Sequence, residues 1–190
     1  MPMPPPLFCS NILTKPMSTT NPSSPSGLDA EALYGKLAQQ VKSGLQGVSQ
    51  VAIVGIHSGG AWLAERLATE LQLTQRLGFI DVSFYRDDFA EKGLRADVKP
   101  SQIGFDVEGA TIVLVDDVLY TGRTTRAAIN ELFDYGRPAR ILLAALVDRG
   151  GRELPIAADF LAASIALDDN QTLQLQRADD GRFSLTVVHA

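Results

Sequence analysis

Three short runs, QVAIVGI (50–56), TIVLV (111–115) and ARILLAALVD (139–148), are aliphatic and β-branched with almost no polar interruption. Strands of that kind must be covered on both faces rather than one. The first two are followed by segments with helical spacing, Ala64, Leu67, Ala68 and Leu71 after the first and Ala127, Ala128, Glu131 and Leu132 after the second. Strand, glycine-bearing loop and helix, repeated, predict an α/β fold with a central, mostly parallel sheet, flanking helices, and functional loops at the carboxyl ends of the strands.

Other segments fit around that centre. Leu33, Leu37 and Val41, with Ala30, Tyr34 and Ala38 beside them, predict a helix that ends near Gly44 and Gly47. LGFIDVSFY (77–85) predicts a further strand, and RDDFAEKGLRADVKPSQ (86–102), polar and aperiodic, a long loop. QTLQLQ and RFSLTVVH around Asp179-Asp180-Gly181 predict a terminal hairpin.

Residues 1–27 hold seven of the ten prolines among many Ser, Thr and Asn residues, which predicts a disordered tail. Met17 is an alternative start within it. Residues 28–190 are then one domain, with 45% hydrophobic and 21% charged residues, as in a soluble protein. A net charge of -5 gives no global field for nucleic acid or anionic lipid. The single Cys9 excludes an intrachain disulfide and points to a reducing, cytoplasmic setting. No apolar run reaches the roughly 18 residues of a spanning helix, so no membrane partner is expected.

The chemistry concentrates in TIVLVDDVLYTGRTT (111–125). Asp116 and Asp117 follow the apolar strand directly, where open α/β sheets bind ligands. Successive side chains of a regular strand point to opposite faces, so two readings stay open. Either the chain turns at Asp116 and both carboxylates accept from a sugar diol, or one places a hydrated Mg²⁺ while the other is structural. An apolar strand ending in two acids also suits a nucleotidase, but that needs G-x-x-x-x-G-K-S/T, and Gly35-Lys36 has Ala30 and Leu37 at the flanking positions.

Thr121, Gly122, Arg123, Thr124 and Thr125 lead into a helix, bringing hydroxyls and backbone N–H groups to one place, as a phosphate monoester requires. The alternative is a capped loop with Thr121 or Thr124 as N-cap. Gly55-Ile56-His57-Ser58-Gly59-Gly60 is a second glycine-bearing turn that can cradle an anion. Its Ser58 is misplaced for a G-x-S-x-G nucleophile, and His57 reads as a polar loop residue before it reads as a base. With His57 and His189 alone, a histidine metal cluster is excluded.

VLVDDVLYTGRTT resembles the phosphoribosyl-pyrophosphate (PRPP) signature of type I phosphoribosyltransferases. VGIHSGGAWLAERL, IDVSFYRDDF and LVDRGGRELPIAADF, in that order, narrow the resemblance to the PyrR family, regulators of pyrimidine operons that are also uracil phosphoribosyltransferases. It covers residues 30 to 165 or so. It implies a mostly parallel sheet with a small hood, a homodimer or higher homo-oligomer, and transfer of a phosphoribosyl group from PRPP to uracil, giving UMP and pyrophosphate with Mg²⁺. Asp116 and Asp117 would bind the ribose hydroxyls, Thr121 to Thr125 the 5′-phosphate, and Ser58, Gly59 and Gly60 the pyrophosphate. Arg86, Lys92 and Arg95 would close over the substrate, Arg86 as a catalytic residue.

Two departures qualify that resemblance. The family commonly has Thr-Arg-Gly where this chain has Ser58-Gly59-Gly60, which removes a cation from beside the leaving group. A basic pair expected of members that bind messenger RNA is Gly151 and Ala157 here, which argues against RNA as a partner. The alternative function is a catalytically weak PRPP or UMP sensor acting through RNA or protein partners.

Overall fold

The computed structural model describes residues 28–82, 101–168 and 170–189. The expected tail, with Cys9 and Met17, lies outside them, as do residues 83–85 and the loop residues Arg86, Lys92 and Arg95.

Helix α1 (Ala30–Gly44) opens at Asp29, whose carboxylate accepts from the Glu31 and Ala32 amides. That satisfies two of the N–H groups a helix leaves without internal partners. Its buried stripe is Ala30, Tyr34, Leu37 and Val41, while Leu33 and Ala38 of the expected faces are only partly buried. β1 (Val51–Ile56) is buried throughout, α2 (Gly59–Glu70) follows, and a 3-10 turn (Thr74–Arg76) leads into β2 (Leu77–Ile80). β2 is therefore shorter than the run LGFIDVSFY suggests. Gln102, expected in a loop, belongs to a two-residue strand β3 (Gln102–Ile103).

β4 (Thr111–Leu119) leads through a short turn to α3 (Arg123–Asp134), then β5 (Arg140–Asp148) and β6 (Phe160–Ser164). The last strand has no counterpart in the sequence reading. β7 (Gln171–Arg177) and β8 (Phe183–His189) form the expected hairpin.

The main sheet has the order β3-β2-β1-β4-β5-β6, parallel except where β3 runs against β2. Two apolar layers cover it. On one face Val113 and Val115 meet α1, α2 and the hairpin through Leu37, Leu63, Leu67 and Phe183. On the other, Ile112 and Leu114 meet Ala128 and Leu132 of α3.

This topology fixes where a ligand fits. β1 and β4 are central neighbours, yet the chain leaves β1 toward β2 on one side and leaves β4 toward β5 on the other. A crevice opens at the carboxyl ends of two strands whose connections diverge in this way. The turns 57–58 and 120–122 flank that crevice.

Candidate functional site

The acidic pair does not mark the end of its strand. β4 stays in register with β5 from Thr111 opposite Arg140 to Leu119 opposite Asp148, so Asp116 and Asp117 lie within it. What ends at Val115 is the pairing with β1. The expectation that the chain turns at Asp116 is therefore corrected: the carboxylates sit where β4 loses one neighbour and keeps the other.

Within the strand, Asp116 falls in the phase of Ile112 and Leu114, and Asp117 in that of Val113 and Val115. Asp116 is 3% exposed, and its Oδ1 accepts from the Asp117 amide at 3.0 Å. Asp117 is half-buried and lies against the first turn of α2. The two acids thus differ in setting, one enclosed and hydrogen-bonded to backbone, the other reaching the crevice.

The turn after β4 is built for close approach. Gly122 has φ +90°, a left-handed conformation that suits glycine, and it stands at the N-cap position of α3. Neither threonine caps the helix by its side chain in the usual way; Thr121 Oγ1 instead accepts from the Arg123 amide at 3.3 Å. The capped-loop expectation at Thr121 or Thr124 is corrected accordingly. Thr125 is 1% exposed, and its hydroxyl has no hydrogen-bond partner in the structure. An enclosed hydroxyl without a partner costs free energy, and a ligand that completes it recovers that cost. It lies in the first turn of α3, where backbone N–H groups and the helix dipole favour an anion.

A scaffold that the sequence reading missed holds this turn. Arg152 donates from Nε to the Ile156 carbonyl at 2.8 Å, from one terminal nitrogen to Asp148 Oδ2 at 2.6 Å, and from the other to the Tyr120 carbonyl. The Thr121 carbonyl accepts from the Glu153 and Leu154 amides, 3.0 and 3.1 Å away. Arg149 lies over the Tyr120 ring at 4.0 Å. Arg123, expected to serve the phosphate, pairs with Glu153 at 2.6 Å, so its contribution to an anion comes from its backbone. The signal was present as four basic or acidic residues clustered in DRGGRE (148–153), but no spacing rule ties them to a turn about 30 residues away.

On the other side of the crevice, Ser58 precedes α2 with an exposed side chain that makes no capping bond, and Gly59 and Gly60 begin the helix, both buried. The peptide between His57 and Ser58 is cis. His57 donates its backbone N–H to the Ile80 carbonyl at 2.9 Å, and its ring packs against Phe79. The structure therefore places Ser58, Gly59 and Gly60 after the carboxyl end of β1, with Gly59 and Gly60 against Asp117 and Asp116, and Thr121 to Thr125 after the carboxyl end of the neighbouring β4; Arg86, Lys92 and Arg95 lie outside the described residues. Among the described residues, no helix is long and apolar enough to cross a membrane, and no group of three or more His, Cys, Asp or Glu side chains gathers as a metal site.

Comparison with known proteins agrees with this geometry. Residues 27–173 match the family model described as a phosphoribosyl transferase domain. A protein of Ralstonia nicotianae named "Bifunctional protein PyrR" is 51% identical over 164 residues, covering 84% of this chain and 94% of that one. One of the same name from Nitrosococcus oceani is 45% identical, covering 88% and 97%. In fold, a hypoxanthine phosphoribosyltransferase from Staphylococcus aureus superposes with a TM-score of 0.55 at 20% identity, covering 76% of this chain and 78% of that one. The sheet order, the crevice and these likenesses agree, and the chain belongs to the PyrR family of phosphoribosyltransferases.

Proposed function

We propose that this protein transfers the phosphoribosyl group of PRPP to uracil, forming UMP and pyrophosphate. The observation that carries the reading is the carboxyl end of β4, which bears two carboxylates and leads through a short turn into the first turn of α3, where the buried Thr125 hydroxyl has no hydrogen-bond partner. One end suits a phosphate monoester and the other a ribose diol.

In this reading the turn Thr121–Thr125 binds the 5′-phosphate through backbone N–H groups and hydroxyls. Asp117, the acid that reaches the crevice, accepts from the ribose hydroxyls, Asp116 is given the same role through the family resemblance alone, and the loop Ser58–Gly60 faces the pyrophosphate across the crevice. Uracil N1 loses its proton and bonds to C1 of the ribose while the bond from C1 to the pyrophosphate oxygen breaks. The carboxylates lower the energy of the positive charge that develops on the sugar, and the fixed turns hold the reacting atoms in line.

The donor set also fits Mg²⁺, which is bound through one or two carboxylates together with substrate phosphates rather than by an all-protein cage. Asp117, the more open of the pair, would hold it with the pyrophosphate, where it would neutralise the leaving group. The loop containing Arg86, Lys92 and Arg95 is assigned the closing role, and Arg86 the catalytic one, through the family alone. A cytoplasmic setting and a homodimer or larger homo-oligomer belong to the same proposal.

The test is incubation with PRPP, Mg²⁺ and, separately, uracil, cytosine, hypoxanthine and guanine, with products separated by chromatography. UMP from uracil in clear preference to the others is expected. A purine nucleotide in preference overturns the base assignment, and no nucleotide from any base overturns the transfer reaction.

The bifunctional name of the relatives supports a second role in regulating pyrimidine genes. Gly151 and Ala157 weigh against direct RNA contact, and filter binding to a pyrimidine operon leader over a salt series decides it. A protein that senses PRPP without turnover is the less favoured reading, since the relatives are named bifunctional and the phosphoribosyl transferase family model matches most of the chain.

A further inference from the structure

Gly59 and Asp117 come from different elements and contend for one space. A Cβ at Gly59 would stand 2.5 Å from Asp117 Cγ and 2.9 Å from Asp117 Cβ, far inside the contact distance of carbon atoms. One residue on, a Cβ at Gly60 would stand 3.0 Å from Asp116 Cα and collide with the Val115 carbonyl. The first turn of α2 is therefore pressed onto β4 at the two residues that carry the carboxylates. It fills the place beside them that β1 vacates when its pairing stops at Val115.

Backbone conformation does not explain these glycines. Neither is among the glycines with positive φ, and both stand in the first turn of α2 with backbone that other residues adopt. The demand at position 59 is for space, and the group that uses the space is the Asp117 carboxylate. The same position is where the family commonly has an arginine, so this chain has given up a cation there and gained close contact between its pyrophosphate loop and its ribose acid.

We propose that Gly59 is a positioning residue for Asp117: the absent side chain leaves the carboxylate its place against α2 and so couples the leaving-group loop to the acid that grips the sugar. The proposal rests on the PRPP reading of the crevice. With α2 and β4 placed as they are in this chain, a Cβ at 59 drives the Asp117 side chain off its position, and the sugar loses a charged acceptor.

The experiment is a double-mutant cycle in PRPP affinity, measured calorimetrically with Mg²⁺, over wild type, Gly59→Ala, Asp117→Ala and the double variant. Gly59→Ala is expected to weaken PRPP about tenfold, the loss of one hydrogen bond to a charged group. In the Asp117→Ala background the same change is expected to alter affinity by less than about twofold, because sites that act through one another are not additive. In turnover, KM for PRPP rises and KM for uracil does not. Gly35→Ala is the control: a Cβ there meets nothing within 4 Å, so PRPP affinity stays unchanged.

Equal losses in both backgrounds, or no loss in the wild-type background, overturn the proposal. Where Gly59→Ala does not fold, Gly59→Ala with Asp117→Gly is expected to fold, since the opposing side chain is gone; failure of that variant too overturns it. A wild-type chain that binds no PRPP, with the two substitutions still coupled in thermal stability, sinks the PRPP reading and leaves the contact standing.

Discussion

Glu31 of α1 accepts the Phe183 amide of β8 at 2.7 Å and the Arg66 guanidinium of α2 at 2.7 Å, so a single carboxylate ties two helices and the C-terminal hairpin together. Arg66 also lies over the Tyr34 ring at 4.3 Å. Partial burial pushes the Glu31 carboxyl up, but the Phe183 amide and Arg66 outweigh it and hold the group below its ordinary range. A carboxyl lowered on folding stabilises the fold above its unfolded value, and that contribution is lost as pH falls through the folded one. Glu31→Gln is therefore expected to cost about 1 to 2 kcal/mol at pH 7, reduced by partial solvent exposure. Urea denaturation across pH should show the gap between wild type and variant closing from about pH 4.3 downward.

Thr125→Val separates stability from binding. The hydroxyl is enclosed and has no partner, so replacing it with a methyl group of similar shape leaves stability unchanged or raises it by up to about 1 kcal/mol. Affinity for PRPP and UMP is expected to fall about tenfold with the lost hydrogen bond to phosphate. Thermal unfolding with and without UMP reads both effects, and a variant that loses stability while keeping affinity would contradict the assignment.

Arg152 is expected to matter through the turn it holds rather than by touching substrate. Its planar fork serves the Ile156 carbonyl, Asp148 and the Tyr120 carbonyl together, a geometry that a lysine does not reproduce. Arg152→Lys should cost about 2 kcal/mol in urea denaturation, and it should weaken PRPP by loosening Tyr120 and Thr121. An unchanged PRPP affinity at reduced stability would show that the turn holds its shape without the arginine.

The exposed edge of the sheet gives an independent test of the fold. Gln40 imitates a neighbouring strand at Leu161, donating to its carbonyl at 3.0 Å and accepting from its amide at 2.9 Å. Lys36 donates to the next carbonyl, that of Ala162 on the same strand. Gln40→Ala opens those groups to another chain. The expected outcome is a loss of about 1 to 2 kcal/mol and concentration-dependent aggregation on warming, followed by light scattering.

The core strands were legible because β1, β4 and β5 are buried on both faces, and such burial writes unbroken apolar runs. β6 was not, because FLAAS is a short edge strand with only Ala162 fully buried, held by α1 side chains that no local pattern reveals. The charges of Asp116 and Asp117 made the apolar run seem to stop at Val115, although the ladder to β5 continues four residues further. The candidate site residues come from TIVLVDDVLYTGRTT and its glycine turn. Their supports could not be read there: the Arg152 fork and the contact between Gly59 and Asp117 join positions 30 or more residues apart, and only the folded sheet brings them together.

The central claim is that the carboxyl end of β4 and the start of α3 hold one sugar phosphate at both ends. Calorimetric titration of PRPP in the presence of Mg²⁺ into wild type and into the Asp117→Asn, Thr125→Val double variant tests it most directly. The account predicts saturable binding by the wild type and affinity at least about a hundredfold weaker in the double variant, two lost charge-assisted hydrogen bonds. Equal affinity in the two proteins would contradict it.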